Sequence, residues 1–169
     1  YEINSKITSF QVREQLGLKL NNSYIANNLN EVEEGNYLYK SAFGFSGRGQ
    51  TTDISKLRES DFPYIVEPKL AVERNYGLTF LNDREAFLME NLNDEKGQFK
   101  GGILCNDIPA HILDKGKLIF NEYKKKYGLT NLQIDMFSYK IGEVTHWNYL
   151  CEVNHRKTMG WVLRKLHES

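Results

Sequence analysis

The sequence has little cysteine, little proline and no excess of either charge. Two cysteines in 169 residues, Cys105 and Cys151, cannot build a disulfide framework, and both stand beside apolar residues (Ile103 and Leu104; Tyr149 and Leu150), where a reduced thiol is the expected state. Three prolines against 13 glycines describe a chain that needs backbone freedom at particular places more than stiff turns. The 22 Lys+Arg are matched by 22 Asp+Glu and the pI is about 7.1. This balance excludes the basic stripe of a nucleic-acid protein and the basic amphipathic helix of a membrane-surface protein. No apolar run approaches the ~18 residues of a membrane span, and the opening Tyr1-Glu2-Ile3-Asn4-Ser5-Lys6 is not a signal peptide, so a cytoplasmic protein is expected. Because the first residue is not Met, the chain is expected to be a piece of a longer product.

What is present is a core. Hydrophobic residues make up 40% and aromatics 12%, including 10 Tyr and 9 Phe, enough for one globular unit. Helical spacing predicts helices over 9–16, 53–59, 107–127 (capped by Asn106 or Asp107 and ended by Gly128) and from Thr158, with Met159, Val162, Leu163 and Leu166 on one face. Strands are predicted over 37–40, 63–70, 77–81, 98–105, 132–139 and 146–154, and residues 23–33 read as a polar connector with one helical turn or an extended piece. Adjacent strand pairs that do not alternate strictly with helices indicate an α+β fold with a largely antiparallel sheet.

Three constellations carry chemistry. Lys40 precedes Ser41-Ala42-Phe43-Gly44-Phe45-Ser46-Gly47-Arg48-Gly49, where successive glycine N–H groups and a lysine can cradle an anion; a flexible hairpin would look the same, and the pattern is neither a P-loop nor a dinucleotide fingerprint. Period-two alternation in 146–154 sets Asn148, Leu150, Glu152 and Asn154 on one face, and in 132–139 it sets Gln133, Asp135 and Phe137 opposite Leu132, Ile134 and Met136. A hairpin of these strands brings Asp135 beside Glu152 and Asn154, a hard oxygen set suited to Mg²⁺; the alternative is a solvated polar face, disfavoured by the cost of a lone charge in the apolar run around Asp135. Third, Arg156 in His155-Arg156-Lys157 follows at once and is suited to bridging a transferred phosphoryl group. The four histidines have no metal-ligand spacing.

The order of these features, with Glu67-Pro68-Lys69-Leu70 between them and Cys151-Glu152-Val153-Asn154-His155-Arg156 near the end, resembles the ATP-grasp superfamily of carboxylate–amine ligases over nearly the whole chain. The resemblance implies two α+β subdomains with largely antiparallel sheets sandwiching the nucleotide: a smaller lid-like one (1–70) and a larger one with the metal site (71–169), the usual N-terminal substrate domain being absent. It implies ATP contacts at Lys40, Gly44, Ser46, Gly47, Arg48 and Gly49 around the phosphates, at Glu67, Lys69 and Leu70 along the adenine edge, and around Glu73, Arg74 and Asn75 at the ribose. It implies Mg²⁺ on Asp135, Glu152 and Asn154, with Lys40 and Arg156 as catalytic cations and Lys6 as a further lysine near the phosphates. The chain departs from the family where Gln133 stands in place of an arginine before the metal aspartate, and where Arg74 stands at a position often acidic. The implied reaction is an ATP-dependent ligation of a small-molecule carboxylate to an amine, releasing ADP and phosphate, in a chain free to form a homo-oligomer. Two alternatives share the site: a nucleotide-binding or regulatory module without ligase activity, and a phosphotransferase acting on a hydroxyl. Segments 98–102 and 140–146 are expected to meet the substrates. Lys100 is the charged group there, facing an acidic substrate or solvent.

Overall fold

Ser5 opens the first helix. Its hydroxyl accepts the Ile7 N–H at 3.2 Å, which satisfies one of the donors a helix N-terminus leaves unpaired, and α1 runs Lys6–Gln15 with Phe10 and Val12 buried. A computed structural model of the chain describes residues 2–43, 49–95, 98–156 and 158–168. Beyond α1 come β1 (Tyr24–Ala26), β2 (Tyr37–Ser41), β3 (Gln50–Thr51), β4 (Tyr64–Pro68), β5 (Ala71–Phe80), β6 (Ala86–Asn93), β7 (Phe99–Leu104), α2 (Ala110–Tyr127), β8 (Leu132–Ile141), β9 (Val144–Asn154) and α3 (Met159–Glu168).

The strands form two sheets, a four-stranded one in the order β1-β4-β2-β3 and a five-stranded one in the order β7-β6-β5-β8-β9. Every pairing is antiparallel. The fold is α+β. The chain leaves the small sheet at Pro68 and enters the large one at Ala71. A tyrosine-rich core of Ala26, Tyr39, Tyr64 and Val66 holds the small sheet, while α2 lays Ile112, Ile119, Phe120 and Tyr123 over Leu78, Phe80, Leu132 and Ile134 of the large one. The helix comes this close because of Gly116, where a Cβ would lie 2.2 Å from Leu78 Cδ2. It ends at Gly128 in the left-handed conformation (φ 67°), with its N–H on the Lys124 carbonyl. The helix α1 packs on β9, with Val12 in the same core.

Several expectations are corrected. The segment 53–59 forms two short 3₁₀ turns, Ile54–Lys56 and Glu59–Asp61, the first capped by Asp53. The strand β6 has no period-two signal because Phe87, Leu88 and Met89 are all buried in succession. The polar connector 23–33 is as expected, with an extended piece, β1, and one 3₁₀ turn, Leu29–Glu31. The second helix starts at Ala110 behind Pro109, with no side-chain cap from Asn106 or Asp107. In α3 two residues of the expected apolar stripe are exposed, Val162 39% and Leu166 66%. That helix is anchored instead by Thr158 at its start and by Arg164, which lies over the Phe87 ring and pairs with Glu85 and Glu168.

Candidate functional site

The two sheets and the link between them enclose a cleft of about 1470 Å³, larger than the ~300–1,000 Å³ of an ordinary small-molecule site. Of the residues singled out in the sequence, Lys6, Lys40, Glu67, Lys69, Leu70, Glu73, Arg74, Asn75, Asp135, Glu152, Asn154 and Arg156 all line it. Gly44, Ser46, Gly47 and Arg48 lie outside the described residues. Gly49, at φ 77°, leads into β3, and its carbonyl accepts the Ser41 N–H at 2.7 Å, so β2 and β3 form a hairpin with Lys40 opposite Gln50.

On the cleft face of the large sheet, Asp135 is registered against Glu152 and Gln133 against Asn154. The Asp135 oxygens accept from two amides, Gln133 Nε2 at 2.7 Å and Asn154 Nδ2 at 2.8 Å. The Gln133 oxygen in turn accepts from the Thr158 hydroxyl and, at 3.4 Å, from Thr79. Burial pushes Asp135 up to about 6, with the neighbouring Glu152 adding to the rise and Gln133, Arg156 and Asn154 opposing it. Burial also raises Glu152, against the pull of Lys6, Lys40 and Arg156. No group of three or more His, Cys, Asp or Glu that could hold a metal occurs among the described residues. Two carboxylates stand here with the Asn154 amide, which presents its nitrogen to Asp135. Two acidic groups facing each other in a half-dry cleft fit a hard divalent cation that takes its remaining ligands from phosphate and water.

The pairing contains an irregularity that the expected alternation missed. Asp135 opposes Glu152 but Phe137 opposes Asn148, so β9 spends three residues where β8 spends one. Leu150 and Val153 are therefore both core residues, three apart, and Leu150 does not share the face of Glu152 and Asn154.

The other wall is built on Glu67. It is buried in β4, and its carboxylate binds Lys40 Nζ at 2.5 Å through one oxygen and Arg13 through the other. Burial alone would raise Glu67, but Lys40 and Arg13 hold it down at about 2. Burial opposes the Lys40 ammonium, while Cys151, 3.8 Å away, and the Glu67 carboxylate lift its pKa above the ordinary lysine value. Lys6 is lowered by burial and by Lys40, with Glu152 pulling the other way. Asn4 ties the start of the chain to this site, its side-chain oxygen accepting the His155 N–H at 2.7 Å.

The link between the sheets is already bonded in part. The Lys69 N–H donates to the Asn36 carbonyl at 2.8 Å, and the Leu70 carbonyl accepts from Val72 N–H at 3.1 Å. Glu73 sits at a bulge of β5 and is held by Thr145 (3.0 Å) and Lys140 (3.6 Å), while Arg74 pairs with Glu90 at 3.3 Å. Sequence reasoning missed the Arg13 and Glu67 side chains and the pivotal place of Gln133. A signal for Arg13 existed, since it falls four residues after Ser9 and three after Phe10, on the inner face of α1.

The ionisation of Asp135 yields a test. Its folded pKa of about 6 exceeds the ordinary carboxylate value of 3.8, so the penalty on the folded state is absent below about 3.8, builds as pH rises and is complete above about 6. In metal-free protein, Asp135→Asn is expected to raise stability by about 1–3 kcal/mol at pH 8 and by nothing measurable at pH 3.5; urea unfolding at the two pH values measures it, and a variant less stable at pH 8 contradicts it.

No protein-family model matches the chain, and no curated protein matches it in sequence. Solved structures do. An N5-carboxyaminoimidazole ribonucleotide synthetase in its ADP complex superposes with a TM-score of 0.65 at 17% identity, over 93% of this chain and 46% of its own. The ATP-grasp ligase PsnB complexed with a minimal precursor gives 0.62 at 19% identity, over 95% of this chain and 54% of its own. A biotin carboxylase–ATP complex from Campylobacter jejuni gives 0.69 at 12% identity, over 97% and 43%. The chain thus spans about half the length of the structures it resembles. The paired antiparallel sheets, the cleft between them and these superpositions together establish that the chain has the ATP-grasp fold.

Proposed function

We infer that the chain is the nucleotide-binding portion of an ATP-dependent ligase that activates a carboxylate as an acyl phosphate and joins it to an amine. The observation that carries this reading is the convergence of Lys6, Lys40 and Arg156 with the facing Asp135 and Glu152 in one cleft. A D-alanine–D-alanine ligase complexed with ATP and an L-amino acid ligase, with TM-scores of 0.56 and 0.60, lend it support. In this reading residues 1–70 form the smaller lobe and 71–169 the larger, with α1 strapped across to β9.

The substrate carboxylate attacks the γ-phosphorus of ATP, ADP leaves, and the amine then displaces phosphate from the acyl carbon with loss of a proton. Little covalent work falls to the protein. Lys40, Lys6 and Arg156 offset the charge on the phosphates, and the cleft holds donor and acceptor in line. Asp135, Glu152 and Asn154 would hold Mg²⁺, which when bound supplies charge neutralisation and a template for phosphate oxygens. Backbone groups at Glu67, Lys69 and Leu70 would meet the adenine edge, with the ribose near Glu73 to Asn75. A site that consumes ATP in a chain whose cysteines, Cys105 and Cys151, form no disulfide suits the cytoplasm.

Incubation with MgATP, candidate carboxylates and hydroxylamine tests the reading, a hydroxamate together with ADP being expected. ADP release onto an alcohol without hydroxamate would make the protein a phosphotransferase. Stabilisation by MgATP without any ADP release would make it a binding module, the reading that the neutral Gln133 beside Asp135 favours.

A further inference from the structure

Arg13 plays no part in the chemistry above, yet it is one of the most buried side chains of the protein, 1% exposed. It lies behind Glu67, on the opposite side of that carboxylate from Lys40. Its remaining terminal nitrogen donates to the Leu150 carbonyl at 3.2 Å, on the edge strand β9 two residues before Glu152, and reaches the Asn148 amide oxygen at 3.5 Å. Its Nε is buried with no hydrogen-bond partner among the described residues. Stability alone is a poor reason for such a group, because buried ion pairs are often matched by apolar side chains of equal volume and an orphaned buried donor is costly.

Charge supplies a better reason. Lys40 and Glu67 by themselves would be a neutral pair, and the wall they form would offer nothing to an anion. With Arg13 also on it the carboxylate answers two cations, so the cluster keeps a net positive charge, and Lys40 is its most exposed member, its side chain 11% exposed against 5% for Glu67 and 2% for Arg13. We propose that Arg13 is a positioning residue for polyphosphate binding: by sharing Glu67 it leaves the Lys40 ammonium uncompensated toward the cleft, so that the site favours nucleoside polyphosphates over nucleosides. This rests on the nucleotide reading given above.

The test is calorimetric titration of the full chain with ATP, ADP and adenosine in the presence of Mg²⁺. Arg13→Met is expected to weaken ATP on the order of tenfold, ADP less, and adenosine by under about twofold, since only the charged ligands feel the lost field. Arg13→Lys keeps the charge and is expected to recover most of the ATP affinity. The double variant Arg13→Met, Glu67→Gln again has one uncompensated cation and is expected to regain the preference for ATP over adenosine; it and Arg13→Lys carry the test should Arg13→Met alone fail to fold. Equal losses for ATP and adenosine, or unchanged ATP affinity in Arg13→Met, overturn the proposal while leaving the nucleotide reading intact. Failure of the wild-type chain to bind any of the three overturns both.

Discussion

Glu67→Gln is expected to destabilise the chain by about 3–5 kcal/mol at pH 7, because it leaves Arg13 and Lys40 buried without their common counter-ion. The loss exceeds that of any surface pair in the protein, such as Lys19–Glu14 or Lys56–Asp53, for which under about 1 kcal/mol is expected. The effect has a defined pH window. Glu67 has a folded pKa of about 2 against the ordinary value of 4.5, so its contribution is complete above 4.5 and is lost as pH falls toward 2. Urea unfolding from pH 7 to pH 3 should therefore show the wild type losing stability below about 4.5, with a flatter profile in Glu67→Gln. A difference below about 1 kcal/mol at pH 7 would mean that the two cations find other partners.

Glu152→Gln is expected to lower MgATP-dependent turnover on the order of 10²–10³-fold with little change in unfolding midpoint, since it removes one of two facing carboxylates without changing side-chain volume. Lys40→Met should act alike on turnover, and the fold should survive it because Arg13 still answers Glu67. Electron paramagnetic resonance with Mn²⁺ separates the two variants: Glu152→Gln loses metal affinity, Lys40→Met loses nucleotide affinity and keeps the metal. Turnover within tenfold of wild type in either variant would remove that residue from the proposed site.

The proximity of Asp135, Glu152 and Asn154 was legible because two strands with clean apolar alternation and a glycine between them have few ways to pair. Asp135 stood out because a charge inside Leu132-Gln133-Ile134-Asp135-Met136 is costly unless partnered, and the structure gives it the amides of Gln133 and Asn154. The helix over α2 was legible from its long apolar stripe. What escaped the sequence lacks a period. β6 begins with three consecutive buried residues, which no alternation announces. The side chain of Glu67 acquires its partners from α1 and β2, 54 and 27 residues away, and pairing at that distance is written only in the fold. In α3 the stripe of Val162 and Leu166 suggested a core face, whereas Arg164 and Thr158 decide how the helix sits, because specific ion pairs and a cap outweigh the pull of an unmatched apolar stripe.

The two extra residues that β9 inserts between Glu152 and Asn148 also set what changes of length the site can absorb. They uncouple the end of the hairpin that carries Asp135 and Glu152 from its turn at Gly142. Residues can be gained or lost in pairs around Gly142 while Asp135 still faces Glu152. Loss of a single residue from 149–151 would still leave two residues of β9 opposite Met136, an ordinary bulge, so the pairing of Asp135 with Glu152 survives a deletion that would flip every side chain of a regular strand.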